Sequence, residues 1–517
     1  MPELILSLDV GTQSIRSMLY GPRGEVHGAS KVPIESYYSE HPGWAEQDPE
    51  YFWKKLAEST RRLFAESEVD RTALRCVTLT TQRSTVVNVN KQGKPLRPAF
   101  VWPDQRRTVD VKPVGGLYGL GFRLIGMQEA VLYAQKEAEI NWLLRNQPEI
   151  VEMSHKMLYL SGYLTYRLTG QYRDSSACQV GFFPFDFRRF EWCKPKDWKW
   201  EAFPIPRDRL ADLVQPTETL GEIAKTASVD THIPAGLPLV AAAADKACEL
   251  LGTGCLTPNV AGLSFGTTAT VGTNSRRYVE VIPFIPPYPA AVPGMYSTEI
   301  QIYRGFWLVS WFRREFGMKE EMEAQEKGVE PEVLLDRLLD DVPPGSLGLV
   351  LQPYWSPGVK TPGPEAKGSI IGFGGEHTRA HIYRAIIEGL CYALKDGAEA
   401  TQRRTWHRIR ELRVSGGGSQ SDHALQITAD IFDLPVVRPR QYESASLGAA
   451  MDGAVGTRMH SDFGTAVAEM TGELRTFEPR AAEVRVYHEL YHQVYKSMYR
   501  RMQPLFRRIK RITGYPD

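Results

Sequence analysis

Two short turns and two acids combine residue types that could handle a phosphate. Asp9-Val10-Gly11-Thr12-Gln13-Ser14 follows the apolar run from Leu4 to Leu8, and Gly266-Thr267-Thr268 follows a second apolar run that begins at Ala261. In each turn glycine stands beside hydroxyl side chains, and a phosphate is held by backbone N–H groups and hydroxyls arranged in a concave nest. Together the two turns could clamp both sides of a triphosphate; either one alone reads first as an ordinary hairpin turn. Asp9 ends its apolar run, where a carboxylate is costly unless a cation or hydrogen-bond donors meet it, so a Mg²⁺-facing role is natural. Asp245 closes the run Val240 to Ala244. It could cap a helix over Ala247 to Leu251, or act as a general base that accepts a hydroxyl proton, and both readings stand on the local sequence. Gly416-Gly417-Gly418-Ser419-Gln420-Ser421 lies between an apolar strand pattern and a helical one. That side-chain-free backbone fits a tight strand-to-helix turn or the approach of a flat ring such as adenine. There is no GxxxxGKS/T and no clean GxGxxG, so the P-loop and Rossmann readings fail.

The elements that must position these residues follow from the pattern. Leu4 to Leu8, the polar turn and Ile15 to Tyr20 read as strand, turn, strand, closed by Gly21-Pro22-Arg23-Gly24; residues 261–274 repeat the idea about half a chain later. This repetition predicts two domains of related design, over 1–256 and 257–517, with a junction where Gly and Pro cluster near 252–262. Asp48-Pro49 starts a helix to about residue 65, with Phe52, Leu56, Leu63 and Phe64 on one face. Val77 to Thr80 and Thr85 to Val89 read as strands of one sheet interrupted by Thr81-Gln82-Arg83-Ser84. In the second half Thr378 caps a helix carrying Ile382, Ile386, Leu390 and Leu394, and Ser419 is expected to open another through Ile427 and Ile431. The alternation of strands and helices gives an α/β class. Residues 281–294 are rich in proline and read as a loop; 443–450 read as a small-residue helix able to approach a sheet closely. The basic segment 499–511 reads as a packed terminal helix.

With 517 residues, 42% apolar and 24% charged, the chain has material for more than one core. Lys plus Arg (62) nearly balance Asp plus Glu (61), so no global field would draw a nucleic acid or a membrane surface, and partners are expected at local sites. The run Leu237 to Ala244 is far short of the roughly 18 to 20 residues that cross a bilayer. The N-terminal segment has no basic n-region, which predicts a cytoplasmic protein. Six cysteines without a CxxC argue against a disulfide framework or a structural zinc site.

In this order, LDVGTQSIRSMLY, GWAEQDPEYFW (43–53), TTQRSTVV, VWPDQRR (101–107), AAADKACELLG, LSFGTTATVGT, GSIIGFGGEHTRAHIYRAIIEGL (368–390), VSGGGSQSDHALQITADIFDLPVV and ESASLGAA resemble the FGGY carbohydrate kinases, of the actin, hexokinase and Hsp70-like ATPase superfamily. The resemblance spans nearly the whole chain. It implies two RNase H-like domains with an ATP and sugar cleft between them, and transfer of the ATP γ-phosphate to a hydroxyl of a small sugar or polyol. Carried over by position, it implies Asp9 and Asp245 at the metal and Asp245 as the catalytic base. It places Gly11, Thr12, Gln13, Ser14 and Arg16 in the first phosphate site and Gly266, Thr267 and Thr268 in the second. Gly416, Gly417, Gly418, Gln420 and Ser421 match the adenosine side. Gln82, Arg83 and Trp102 look like a polyol clamp, but Ser84 stands where glycerol kinases carry glutamate, Gln82-Arg83-Ser84 also departs from the Gln-Met-His type loop usual in xylulose kinases, and Lys246 follows the base where Gln or Asn is common in both. If Lys246 points inward, it would lower the pKa of Asp245 and favour an anionic sugar. The expected substrate is a ketopentose such as xylulose or ribulose, with glycerol, another polyol or a hydroxylated signal molecule as alternatives. A sensor without catalysis or an actin-like ATPase is a further alternative of another class. Dimerisation is a family-level expectation.

Overall fold

The computed structural model describes residues 3–356, 358, 362–472 and 475–515. The chain divides into two compact units: residues 1–254, 274–297 and 443–472 form the first, and 255–273, 298–442 and 473–517 the second.

In the first unit, β1 (Leu4–Val10) and β2 (Ser14–Tyr20) form an antiparallel hairpin, continued by β3 (Val26–Pro33). All seven residues of β1 are buried; a strand covered on both faces reads as a continuous apolar run, which is why Leu4 to Leu8 was legible as one. Helix α1 (Pro49–Glu66) starts where Asp48 accepts a hydrogen bond from the Glu50 N–H, a cap worth about 1 kcal/mol. It buries Phe52, Leu56, Leu63 and Phe64. β4 (Leu74–Thr81) runs parallel to β1. β5 (Val86–Val89) does not continue the same sheet, as the sequence pattern suggests; it joins a separate four-stranded sheet with Glu46–Gln47, Ala99–Phe100 and Lys156–Tyr159. The physical reason is the turn between them, where Ser84 sits at φ 55° and swings the chain out of the first sheet. β6 (Pro238–Ala241) lies parallel to β4 and leads into α2 (Asp245–Gly252). The six-stranded order is Thr219–Glu222, β6, β4, β1, β2, β3.

The second unit repeats this design. β7 (Val260–Phe265) and β8 (Ala269–Ser275) make the antiparallel hairpin, preceding the long helix α3 (Arg379–Thr405). Thr378 caps α3 in a reciprocal box with His381, and Ile386, Leu390 and Leu394 are buried. β9 (Glu411–Ser415) runs parallel to β7, and Val436–Arg438 parallel to β9, with Arg475–Phe477 antiparallel at the edge. From Arg475–Phe477 through β8 the strand order and sense thus match those of the first unit from Thr219–Glu222 through β2, the duplicated RNase H-like arrangement. Helix α4 (Asp422–Phe432) begins later than the sequence suggests: Ser419 lies in a 3₁₀ turn, and Ser421 is the cap, its Oγ accepting from the Ala424 N–H. Three consecutive glycines need a tight turn before regular helix can start. Within the proline-rich loop, Tyr288–Pro289 still form a two-residue ladder with Tyr296 and Ser297. In the helix Lys496–Thr513 only Met498 and Phe506 are buried.

The small-residue helix α5 (Ser444–Gly456) returns to the first unit. It crosses α2 at glycines: a Cβ on Gly252 would lie 1.9 Å from the Ser444 carbonyl oxygen, and one on Gly448 would lie 1.9 Å from that of Cys248. Gly453 meets the side chains of Ile5, Cys76 and Thr78 beneath it. α5 therefore approaches the sheet as expected and packs still more tightly on the helix that begins with Asp245. The six cysteines are buried and free, and among the described residues no helix is long and apolar enough to cross a membrane.

Candidate active site

The first unit gathers Asp9, Gly11 to Ser14, Arg16, Gln82, Arg83, Trp102, Asp245 and Lys246. Strand pairing places Asp9 opposite Arg16 across the β1–β2 hairpin, and their side chains form an ion pair of 2.8 Å. Arg16 Nε reaches Glu443 at 2.9 Å, so one guanidinium bridges two acids. Burial holds the Asp9 carboxyl above its usual range, against the pull of Arg16; Glu443 adds to the rise. Gly11 closes the turn by donating to the Ser14 carbonyl at 3.2 Å. A Cβ there would lie 3.3 Å from that oxygen and 3.5 Å from Arg16 Nη1. Glycine keeps this backbone open beside a cation, which is what an approaching phosphate needs.

Thr12 ties this turn to the polar segment after β4. Its hydroxyl donates to Gln82 Oε1 at 3.1 Å and accepts from Trp102 Nε1 at 3.1 Å. Gln82 is buried and its Nε2 has no hydrogen-bond partner among the described residues, whereas the Trp102 side chain is exposed. Arg83 lies with Nε 4.0 Å from Asp245 Oδ1, and its guanidinium stands 5.2 Å from the ring centre of Tyr288. Tyr288 belongs to the proline-rich segment, where sequence spacing gives no sign of this contact.

Asp245 is the first residue of α2, with Ala244 at the cap position; its Oδ1 accepts from the Lys246 N–H at 2.8 Å. A carboxylate at this end of a helix sits in the favourable half of the helix dipole. Burial nevertheless pushes its pKa up to about 6, against Arg83 and, more weakly, Lys246. Lys246 does lower the pKa of Asp245, yet its ammonium binds Glu249 Oε2 at 2.7 Å, and loss of hydration outweighs both cations. Asp9 raises the same group, so the two acids sense each other.

The segment before Asp245 is held by backbone contacts. The Ala243 carbonyl accepts from Thr80 Oγ1 at 2.8 Å and from Cys248 Sγ at 3.2 Å. Asp452 on α5 is wholly buried against the same segment; burial raises it well above the usual carboxylate range, and the Ala243 N–H offsets that rise only in part. Neither Asp452 nor Glu443 stands out by sequence spacing. Glu443 opens the 443–450 segment that reads as a small-residue packing helix and Asp452 lies just beyond it, and only the return of α5 to the first unit reveals them.

The second unit gathers the other set. Gly266, Thr267 and Thr268 form the β7–β8 turn, pinned by Phe306 N–H to the Gly266 carbonyl at 3.0 Å and by Thr268 Oγ1 to the Tyr303 carbonyl at 3.3 Å. Gly416, at φ 83°, backs onto this turn: a Cβ would lie 3.0 Å from the Phe265 carbonyl carbon and 3.2 Å from the Gly266 nitrogen. A Cβ on Gly418 would strike the Phe306 ring at 2.5 Å, while one on Gly417 would meet nothing within 4 Å. Two of the three glycines thus serve close packing, and Gly417 alone leaves open backbone. Arg438 holds the carbonyls of Ser419 and Gln420 at 2.7 and 3.1 Å, while Ser421 caps α4. A cavity of about 660 Å³ in this unit, lined by Gly345, Arg485, Glu489 and Leu490 among others, includes none of these residues.

Among the described residues no group of three or more His, Cys, Asp and Glu side chains could hold a metal ion. Mg²⁺ that travels with nucleotide phosphates needs only one or two carboxylates, the rest of its shell being phosphate and water. Asp9, buried and acidic beside an open glycine turn, fits that smaller demand.

Comparison with known proteins agrees with this duplicated arrangement. Residues 4–252 match the N-terminal domain of the FGGY family of carbohydrate kinases, and 261–457 match its C-terminal domain. An "uncharacterized sugar kinase" of Escherichia coli (strain K12) is 29% identical over 485 residues, covering 93% of this chain and 90% of the relative. A xylulose kinase of Staphylococcus epidermidis (strain ATCC 12228 / FDA PCI 1200) is 27% identical, covering 94% and 95%. The crystal structure of a xylulose kinase from Rhodospirillum rubrum superposes with a TM-score of 0.78 at 24% identity, over 98% of this chain and 100% of that one. With both halves matched in order along one chain, this protein belongs to the FGGY family of carbohydrate kinases, ATP-using phosphotransferases that act on small sugars.

Proposed function

We propose that the protein transfers the γ-phosphoryl group of ATP to a hydroxyl of a ketopentose such as xylulose or ribulose, with Asp245 as general base. The observation that carries this reading is the Asp245 carboxylate at the start of α2, 4.0 Å from Arg83 and raised to about pKa 6. Such a group is ionised at neutral pH yet basic enough to take a proton as the hydroxyl becomes acidic in the transition state. The hydroxyl oxygen forms a bond to the γ-phosphorus, the bond to the β,γ-bridging oxygen breaks with its electron pair leaving on ADP, and the hydroxyl proton passes to Asp245. Transfer of this loose kind demands mainly alignment and charge placement.

Gln82, Arg83 and Trp102 would orient the sugar. Gln82 brings a buried donor without a hydrogen-bonded protein partner, and the indole of Trp102 offers an apolar face. The amides and hydroxyls of Gly11 to Ser14, with Arg16, and those of Gly266 to Thr268 would take the phosphates, and Gly416 to Gly418 with Gln420 and Ser421 the adenosine. Mg²⁺, when bound with ATP, would neutralise phosphate charge, with Asp9 and, beside it, Asp245 as its protein carboxylates. A ketopentose is supported by the relative named xylulose kinase, and Ser84, which stands in place of the glutamate expected next to Arg83 for glycerol, counts against glycerol. The test is ADP release from Mg-ATP across ketopentoses, aldoses, polyols, glycerol and sugar acids, with Asp245→Asn as control. Turnover on a ketopentose that disappears in Asp245→Asn supports the reading. Turnover confined to glycerol or a sugar acid overturns the substrate, and full activity in the variant overturns the base.

A further inference from the structure

Asp174 touches none of the groups assigned to the reaction, yet its surroundings lead to two of them. It is 2% exposed and accepts hydrogen bonds from Ser161 Oγ at 2.9 Å, Gln179 Nε2 at 2.8 Å and the Ser175 N–H at 2.8 Å. Gln179 Nε2 also donates to the Ser175 carbonyl at 3.0 Å, so the carboxylate and the amide together lock residues 175–179 into one closed turn. Burial pushes the Asp174 carboxyl up to about 7, and these donors pull against that rise.

The outer edge of that turn makes three hydrogen bonds. The Ala244 N–H donates to the Ala177 carbonyl at 3.2 Å, Cys178 Sγ donates to the Ala242 carbonyl at 3.8 Å, and Ser84 Oγ donates to the Val180 carbonyl at 2.9 Å. Ala242 and Ala244 belong to the last three residues before Asp245, and Ser84 follows Arg83. Ser84 occupies left-handed backbone at φ 55°, a conformation a non-glycine residue keeps only where its surroundings hold it.

We propose that Asp174 is a positioning residue for phosphoryl transfer: its buried carboxylate fixes the 175–180 turn, and that turn sets the separation of Arg83 and Asp245. The inference rests on the reading of Asp245 as base and Arg83 as sugar ligand. A displacement of about 1 Å in such a pair is enough to lower a rate a hundredfold. The role requires that loss of the carboxylate act on the sugar and on the base while leaving the nucleotide unaffected.

The test is steady-state kinetics of Asp174→Ala, Asp174→Asn and Ser84→Ala, each with thermal unfolding and a pH profile of kcat. Asp174→Ala should lower kcat at least tenfold, raise the sugar KM several-fold, leave the ATP KM within twofold and move the acid limb of the profile. Asp174→Asn should recover part of the loss, because its amide oxygen still accepts from the Ser175 N–H and its Nδ2 can donate to Ser161 Oγ, while the bond from Gln179 is lost. Ser84→Ala, which cuts one of the three links, should shift the sugar KM in the same direction and by less. Folded Asp174→Ala and Ser84→Ala proteins with the parent's sugar KM and acid limb overturn the proposal. If Asp174→Ala fails to fold, Ser84→Ala decides alone by the same criterion. Failure of the underlying reading is separate, since it appears as retained activity in Asp245→Asn.

Discussion

The two hairpins that open the two units share a scaffold and differ in charge. Asp9-Val10-Gly11-Thr12 and Ser264-Phe265-Gly266-Thr267 occupy the same place, at the end of a central strand and in an antiparallel turn. In the first, the acid faces Arg16 across the ladder; in the second, Ser264 faces Thr270. The first turn therefore carries a buried ion pair whose acid is held above its usual pKa, and the second is neutral. A polyanion can approach the neutral turn through amides and hydroxyls alone. At the charged turn it must be met by a cation, since Asp9 would repel it. One architecture used twice thus yields one turn suited to phosphate by itself and one suited to phosphate accompanied by positive charge.

Substitutions can break this contrast. The largest expected effect is at the base: Asp245→Asn should lower kcat by about 10³-fold or more, within the range for losing a positioned proton acceptor, with ATP affinity measured by calorimetry unchanged within twofold. Next, Asp9→Ser makes the first turn resemble the second and leaves Arg16 with Glu443. If the carboxylate serves Mg-ATP, kcat/KM for Mg-ATP should fall about a hundredfold and its Mg²⁺ dependence should shift to higher concentration. Ser264→Ala in the neutral turn should change the same quantity by less than tenfold, and equal effects would erase the contrast.

Packing around the base supplies a third test. Gly448→Ala drives a methyl group into the Cys248 carbonyl at 1.9 Å and should destabilise the protein by about 2 kcal/mol or more, read from urea unfolding. It should also lower kcat, because α5 sets the helix that begins with Asp245. Fourth, the activity of the parent should fall about tenfold per pH unit below about 6, as Asp245 takes up a proton, and be flat above it. An acid limb near the ordinary aspartate value would remove Asp245 as the titrating group.

The smallest effect concerns Asp452. Its raised pKa means that the folded protein holds a proton which the unfolded chain releases above about pH 4, so this group costs stability progressively as pH rises. Asp452→Asn should therefore gain about 1 kcal/mol over the parent between pH 5 and pH 7, with no such gain below pH 4, as read from Tm. A pH-independent difference would mean that the Asp452 carboxyl is ionised in the fold.

Much of the fold was legible in the sequence because its signals are local. The buried central strand Leu4–Val10, the Asp48 cap of α1 and the Thr378 box of α3 are each written in adjacent residues. Legibility ended where a single backbone angle redirected the chain, as at Ser84 between two sheets, or where glycines delayed a helix, as at Ser419 and Ser421. Of the site, the turns and acids were visible because glycine beside hydroxyls and an acid ending an apolar run are unusual pairings. Tyr288 and Glu443 were not, since each meets its partner at long sequence separation; Asp174 bonds residues near it in sequence, and only the distant contacts of its turn with Ser84, Ala242 and Ala244 connect it to the site.

The sequence by itself determined the family, the duplicated strand-turn-strand design and the residue types available for phosphoryl transfer, since these depend on order and spacing along the chain. Only the tertiary structure decided the electrostatics. Lys246 stands next to Asp245 in sequence and lowers its pKa, yet burial outweighs it, and Arg83 of a distant segment acts more strongly than this neighbour does. Loss of hydration is a property of what surrounds a group in three dimensions, and no pattern of neighbours along the chain contains it.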